Sequence, residues 1–340
     1  MAQPPAWQTN IFDPASTPSS DVHSLSLFVL LITAGIFVSV SALLIFALVR
    51  YRQRPGETSE PPQVFGSTQI ELAWTIIPVL LITVLFLGTA RVIFAVQDAP
   101  KPKNALDVIV IGHQFWWEFR YPKYGVVTAN ELHVPVSTAD APWPTYLKLT
   151  SADVMHSFWV PRLAGKTDLL PNRVNEMWFD PHVPGMYEGQ CAQFCGTEHA
   201  KMLLRVYVDT PAQFRAWIEA QQKTQPDGAV GTSAPETGVG MHEPAAKVDD
   251  ATAGREVFEH QACINCHTVR GTVANGVYGP DLTHLMSRET LGSGIAANTP
   301  ENLQKWIQDP NIFKPGTLMP AMHLTDQQNA QITAYLLTLH

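Results

Sequence analysis

Cys191-Ala192-Gln193-Phe194-Cys195-Gly196-Thr197-Glu198-His199-Ala200-Lys201-Met202 is the stretch on which the reading of this 340-residue chain turns. Two thiols, an imidazole and a thioether fall within twelve residues. These are soft or borderline ligands, a set suited to copper and not to magnesium or calcium. Cysteines four apart, with a histidine four further on, can gather round one centre only if the chain loops tightly, and Gly196 supplies the freedom for such a loop. A second imidazole has to come from elsewhere. His156, in Ser151-Ala152-Asp153-Val154-Met155-His156-Ser157-Phe158-Trp159, is the best placed. Two close cysteines are also compatible with a disulfide in an exported domain. A zinc site is a further alternative, although zinc seldom takes a methionine.

Upstream of the loop, from Asp107, the hydrophobic period is two, with β-branched and aromatic residues dominant. The runs Val108–Ile111, Phe115–Tyr121, Leu132–Val134, Tyr146–Leu149, Val174–Phe179 and Leu203–Val208 predict strands. Pro and Gly punctuate them at short intervals, as in an all-β sandwich or barrel. A Greek-key sandwich of the cupredoxin kind fits both this pattern and a copper loop between its last strands. Thr210-Pro211 then predicts a short helix, with Thr at the cap and Pro in the first turn. The dense aromatics of Gly112-His113-Gln114-Phe115-Trp116-Trp117 suit a core or a membrane-surface belt.

A second chemistry follows downstream. Residues 221–248 are rich in Gln, Thr, Gly, Ala, Pro and Glu and predict a flexible linker. Beyond it, Cys263-Ile264-Asn265-Cys266-His267 has the c-type haem attachment spacing. Two thiols three apart on a helix can bond both vinyl groups of one haem, and the adjacent imidazole then reaches the iron. The same spacing also occurs in zinc and redox sites. Around the motif lie an amphipathic helix through Gly254–Phe258, Gly279-Pro280-Asp281-Leu282, the run Lys314-Pro315-Gly316-Thr317-Leu318-Met319-Pro320, and a Thr325-x-x-Gln328 cap opening a C-terminal helix.

The N-terminal part is of another kind. Charged residues make up only 15% of the chain and hydrophobic ones 46%, which points to membrane segments. Leu25 to Val49 and Leu72 to Ala90 carry no charge, and each run is long enough for a transmembrane helix; Pro78 is expected to kink the second or to sit in its first turns. A buried helical hairpin is the soluble alternative. Arg50, Arg52 and Arg54 fall between the runs while residues 1–23 hold no Lys or Arg, so the positive-inside bias puts that loop in the cytoplasm and both termini outside. No ordinary cleavable leader is expected from the start Met-Ala-Gln-Pro-Pro. Thr68-x-x-Glu71 fits a capping box at the second helix. The formal net charge of −8 argues against a nucleic-acid partner.

The copper loop resembles that of subunit II of haem–copper respiratory oxidases, over about residues 24–220. The resemblance implies a binuclear copper centre (CuA) bridged by Cys191 and Cys195, with His156, His199, Met202 and the main-chain carbonyl of Gln193 completing the shell. The family usually has Glu at position 193; Gln193 keeps the carbonyl but not the side-chain link to a nearby magnesium. Glu71 then falls at the mouth of a proton path into the catalytic subunit, and Phe115, with Trp116 beside it, falls where electrons enter from cytochrome c. Lys166-Thr167-Asp168 resembles a segment facing the catalytic subunit, with solvated surface as the alternative. Residues 250–340 resemble class I cytochrome c, which implies covalent haem c on Cys263 and Cys266, His267 and Met319 as iron ligands, and Met322 as a second choice to Met319.

The expected architecture is therefore a multi-domain membrane protein: a tail and two-helix transmembrane hairpin at 1–97 (helices about 24–50 and 70–97), an all-β cupredoxin sandwich at 98–220, the linker at 221–248 and an all-α cytochrome c domain at 249–340. The expected function is electron input to a terminal respiratory oxidase and translocase of the bacterial inner membrane, with both metal domains on the periplasmic side. Its expected partners are the lipid bilayer, the catalytic oxidase subunit I and other oxidase subunits, and an upstream donor, either cytochrome c or a quinol-oxidising complex. The uncharged helical runs hold no histidine, so oxygen chemistry, and any catalytic residue for it, belongs to the partner. A CuA-type nitric oxide reductase could use the same module. A non-enzymatic copper carrier is a different class and would have no use for a covalent haem; a quinol oxidase subunit lacks these copper ligands.

Overall fold

The computed structural model describes residues 10–53, 55–56, 58, 60, 62–63, 65–97, 99–223 and 248–340. Arg54, Asp98 and most of the expected linker, residues 224–247, lie outside the described residues. The chain forms two compact units, one of residues 18–100 and one of residues 101–340 together with the segment up to Thr17.

The first unit holds α1 (Thr17–Arg50) and α2 (Thr68–Val96), both long and apolar enough to cross a membrane. At 34 and 29 residues and about 1.5 Å rise each, they exceed the ~30 Å hydrocarbon core. Leu31, Phe37, Leu80 and Phe86 are exposed, and none of the apolar window of either helix is buried. A soluble core hairpin would bury them. Pro78 lies inside α2. The expected capping box is not formed: Ser67 occupies the N-cap without a side-chain hydrogen bond, and Thr68 is already the first helical residue, one position too late to cap.

The second unit begins with two five-stranded sheets. One runs β3 (Val126–Ala129), β2 (Trp116–Tyr121), β1 (Leu106–His113), β5 (Thr145–Ser151), β8 (Asn175–Phe179). The other runs β4 (Glu131–Pro135), β10 (Leu203–Asp209), β9 (Gly185–Cys191), β6 (His156–Trp159), β7 (Thr167–Leu169). Burial alternates strictly along β1, the mark of a strand with one face inside. Trp117, Phe119, Leu147, Leu149, Phe158 and Phe179 are fully buried in the resulting core, each contributing roughly 1.5–3 kcal/mol by leaving water. β9 and β10 pair antiparallel from Gln190↔Leu203 onwards, so the copper loop is the connection at their end. The short helix α3 (Pro211–Gln221) starts with a full capping box between Thr210 and Gln213 and packs Phe214 against Tyr121, Tyr124 and Trp143.

The C-terminal part is helical: α4 (Val248–His260), α5 (Cys263–Cys266), α6 (Pro300–Gln308) and α7 (Asp326–Leu336), with one two-residue ladder, β11 (Thr290–Leu291) on β12 (Ala296–Ala297). Phe258 of α4 meets Tyr335 of α7 at 5.7 Å between ring centres. The capping box of Thr325 and Gln328 opens α7. Gln221, the last residue of α3, is buried; its side chain donates to Ser287 Oγ at 3.0 Å and its carbonyl accepts from Arg270 at 2.8 Å. The helical part is thus in contact with the sandwich.

Candidate functional site

The register of the second sheet builds the copper-loop site. Phe158 of β6 pairs with Cys191 of β9, which brings His156, at the start of β6, beside the first cysteine. The ring of His156 fits because β1 carries Gly112 opposite: a Cβ there would stand 2.7 Å from His156 Cδ2. Gly196, at φ +134°, turns the loop. Its Cα faces the ring of Phe115, which a Cβ would meet at 3.0 Å.

The donors then sort into two groups. Cys191 Sγ lies 3.9 Å from His156 Nδ1 and 3.2 Å from the Gln193 carbonyl oxygen. Cys195 Sγ lies 3.8 Å from His199 Nδ1 and 3.9 Å from Met202 Sδ. The two sulfurs are 3.9 Å apart and both cysteines are free thiols, far beyond the ~2.05 Å of a disulfide. Two metal–sulfur bonds of about 2.3 Å span that gap. All six sequence-chosen ligands are therefore brought together, and the set fits a soft metal ion.

Asp153 and Gln114, which the sequence did not single out, hold this arrangement. The Asp153 carboxylate accepts from His156 Nε2 at 2.8 Å, so Nδ1 is the nitrogen left towards sulfur. It also accepts the Gln114 main-chain N–H at 2.6 Å, while the Gln114 amide donates to the Cys195 carbonyl at 2.6 Å. Burial opposes a charge on His156, but Asp153 and Cys191 outweigh it and its pKa is raised. Burial likewise opposes charge on Asp153, and the bonds from His156, Gln114 and Val154 bring its pKa down all the same. Of the thiols, Cys191 is brought down, first by the hydrogen bond from Cys195, and Cys195 is pushed up by the same contact. One thiolate forms readily, and the second needs a cation.

The haem motif lines a cavity of about 410 Å³. Cys263, Cys266 and His267 form one wall, and both Met319 and Met322 lie on it as well. His267 Nδ1 donates to the Pro280 carbonyl at 2.8 Å, which leaves Nε2 as the free nitrogen. Burial lowers its pKa and so keeps the imidazole neutral, the ligand form. Gly279 lies against the ring, where a Cβ would stand 2.5 Å from Cε1. An apolar cavity of this size, bearing two cysteines and a free imidazole nitrogen, fits a covalently held haem. Phe115 and Trp116 close the cavity from the sandwich side, both buried, with Trp116 stacked on His113 at 4.1 Å.

Two sequence candidates lie away from these centres. Glu71 is exposed in the first turn of α2, and Lys166 and Asp168 are exposed on either side of buried Thr167.

Comparison with known proteins bears directly on this pairing of sites. Residues 4–89 match the family described as cytochrome C oxidase subunit II, transmembrane domain; residues 130–208 match its periplasmic domain; residues 251–340 match cytochrome c. Cytochrome c oxidase subunit 2 of Alkalihalophilus pseudofirmus is 33% identical over 332 residues, covering 96% of this chain and 90% of that protein. The chain belongs to the cytochrome c oxidase subunit II family. Subunit 2 of Bacillus sp. strain PS3 is 34% identical over 85% of this chain and 80% of that protein. The crystal structure of the periplasmic domain of subunit II from Bradyrhizobium japonicum is 31% identical over 36% of this chain and 96% of that one, with a TM-score of 0.33. This subunit II thus joins two apolar N-terminal helices, a cupredoxin-like β-sandwich and a C-terminal cytochrome c domain. Membership implies copper at the first site and haem at the second.

Proposed function

We propose that this subunit delivers electrons to a terminal respiratory oxidase, from an external donor through haem c and a binuclear CuA centre to subunit I, which reduces oxygen to water and pumps protons. The carrying observation is Phe115: its ring lies against the copper loop at Gly196 and also walls the cavity of Cys263, Cys266 and His267. Haem and copper, when bound, would supply one-electron redox chemistry. The chain's own residues hold, orient and keep water from them. Cys191 and Cys195 would hold two coppers, and the sorting of the remaining donors, His156 and the Gln193 carbonyl against His199 and Met202, favours two ions over one. Cys263 and Cys266 would carry the haem, and His267 and Met319 would hold its iron; a histidine–methionine ligand set raises the potential of the iron.

Glu71 is proposed as the proton-path mouth, an acid at the cytoplasmic edge of α2. Lys166–Asp168 and the exposed Phe194, edge-on to His199 at 5.8 Å between ring centres, present a surface to the catalytic subunit. The arginines between the helices put both metal domains on the periplasmic side of a two-pass protein. A nitric oxide reductase could be fed by the same module, because the catalytic subunit decides the acceptor.

Elemental analysis with optical and paramagnetic-resonance spectra of the purified full-length chain tests the reading. Two coppers and one covalent haem per chain are expected; one zinc and no copper would overturn it.

A further inference from the structure

The helical domain is clamped onto the sandwich by groups outside both metal sites. Asn130, in the left-handed region at φ +64°, sets up the start of β4. The next residue, Glu131, is a carboxylate only 2% exposed. Among the described residues, the hydrogen bonds to its carboxylate come from the haem domain. The Glu289 main-chain N–H reaches both of its oxygens, at 3.0 and 3.1 Å, and Oε1 also accepts the Thr290 N–H at 3.0 Å and the Thr290 hydroxyl at 2.9 Å. Beside it, Ser293 Oγ donates to the Leu203 carbonyl at 2.8 Å. On the other flank the side-chain nitrogen of Lys314, 2% exposed, donates to the Phe115 carbonyl at 2.6 Å and to the Gly292 carbonyl at 3.2 Å.

A carboxylate buried on one domain whose hydrogen bonds come from another is costly to separate, since parting leaves charge and N–H groups unpaired until water reaches them. The β11 strand that Glu131 grips and the loop that holds Lys314 both belong to the wall of the haem cavity. On the sandwich side, Lys314 holds the residue whose ring touches the copper loop. The clamp therefore fixes the spacing between the two centres.

We propose that Glu131 is a positioning residue for transfer between the haem crevice and the copper loop, acting through the main-chain N–H groups of Glu289 and Thr290, with Lys314 as its counterpart on Phe115. The proposal rests on the reading of the two sites as haem c and CuA. A domain held only by its linker would dock through encounters that salt screens, whereas buried contacts are screened far less. Transfer in the unmodified chain is accordingly expected to be insensitive to ionic strength.

The test uses the full-length chain in detergent, loaded with haem and copper. Transfer is followed after flash reduction of the haem, and amide hydrogen exchange is followed at Glu289 and Thr290. Glu131→Ala is expected to speed that exchange and slow transfer, each by about tenfold or more, since a hydrogen bond to a charged group contributes about 1.5–3 kcal/mol. It should also make the rate fall as salt rises, with the haem and copper spectra unchanged. Glu131→Gln keeps the shape and one acceptor, so it tests the same point if the alanine variant fails to accumulate; an intermediate change in both readouts is expected. Unchanged exchange in the variants, or faster exchange with unchanged transfer, overturns the proposal. If the functional reading itself is wrong, the unmodified chain lacks the haem and copper spectra, which is a separate outcome.

Discussion

The copper loop and the haem crevice hold their ligands in opposite ways. In the loop, the donors stand within 3.9 Å of a cysteine sulfur before any metal is considered, held by Asp153 and Gln114. In the crevice, the motif's two thiols and imidazole come from one short helix and its next residue, and the thioethers of Met319 and Met322 also line the open 410 Å³. A site for small ions can be built by hydrogen bonds alone. A site for a large planar group has to be left empty by the protein, and the group completes the core. Loss of cofactor should therefore unfold one domain and leave the other standing.

The largest effect is expected from Cys263→Ser with Cys266→Ser. At about 24 cal/mol per Å³ of cavity, a 410 Å³ void is equivalent to about 10 kcal/mol, an upper figure because the cavity opens partly to solvent. That is comparable to the whole stability of a domain, about 5–15 kcal/mol. Calorimetry should show the transition of residues 248–340 lost while that of the sandwich persists. Cys195→Ser gives the converse arm: copper content falls to zero, and the sandwich transition moves by no more than a few degrees. Two normal transitions in the first variant would break the comparison.

A smaller effect belongs to the supports of the copper ligands. Gly112→Ala pushes a methyl to 2.7 Å from the His156 ring, and Asp153→Asn weakens the bond that orients it. Each should reduce copper affinity by about 10–100-fold in competition titrations, the usual cost of disturbing a ligand's hydrogen-bonded support. The smallest concerns Lys314, whose pKa burial brings down to about 7. Between that value and its ordinary 10.5, the unfolded chain binds the extra proton and the folded one does not. Stability should consequently rise with pH across this window. Lys314→Met should flatten that part of the pH–stability curve, read by denaturant midpoints at pH 6.5, 8 and 9.5; an unchanged slope counts against burial as the cause.

What could be read in advance followed sequence distance. Cys191 to Met202 and Cys263 to His267 are each a single short run, so residue type and spacing already carry their chemistry. The strands with clean alternation, such as β1, were legible for the same reason. β9 was not: Gly185-Met186-Tyr187-Glu188-Gly189-Gln190-Cys191 has two glycines and a weak pattern, and its pairing with β10 makes it a strand. Thr68-x-x-Glu71 has the pattern of a cap and misleads, because Ser67 takes the N-cap position and Thr68 is already the first helical residue. Asp153 lay in plain view beside His156, but a carboxylate three residues from a histidine is too common to stand out. Glu131 and Lys314 were invisible. Their partners are 158 and 199 residues away, and a composition that reads as a free linker between domains says nothing about the surfaces they bury.

Phe115 and Trp116 wall the haem cavity from outside the cytochrome domain. The polarity around a haem is one of the levers that set its reduction potential. Cut away from the sandwich, residues 248–340 would let water reach that side of the macrocycle and favour the oxidised, more charged iron. The voltage at which this domain accepts electrons is thus partly a property of a β-hairpin far upstream, and an isolated fragment would be a weaker oxidant of its donor than the intact subunit.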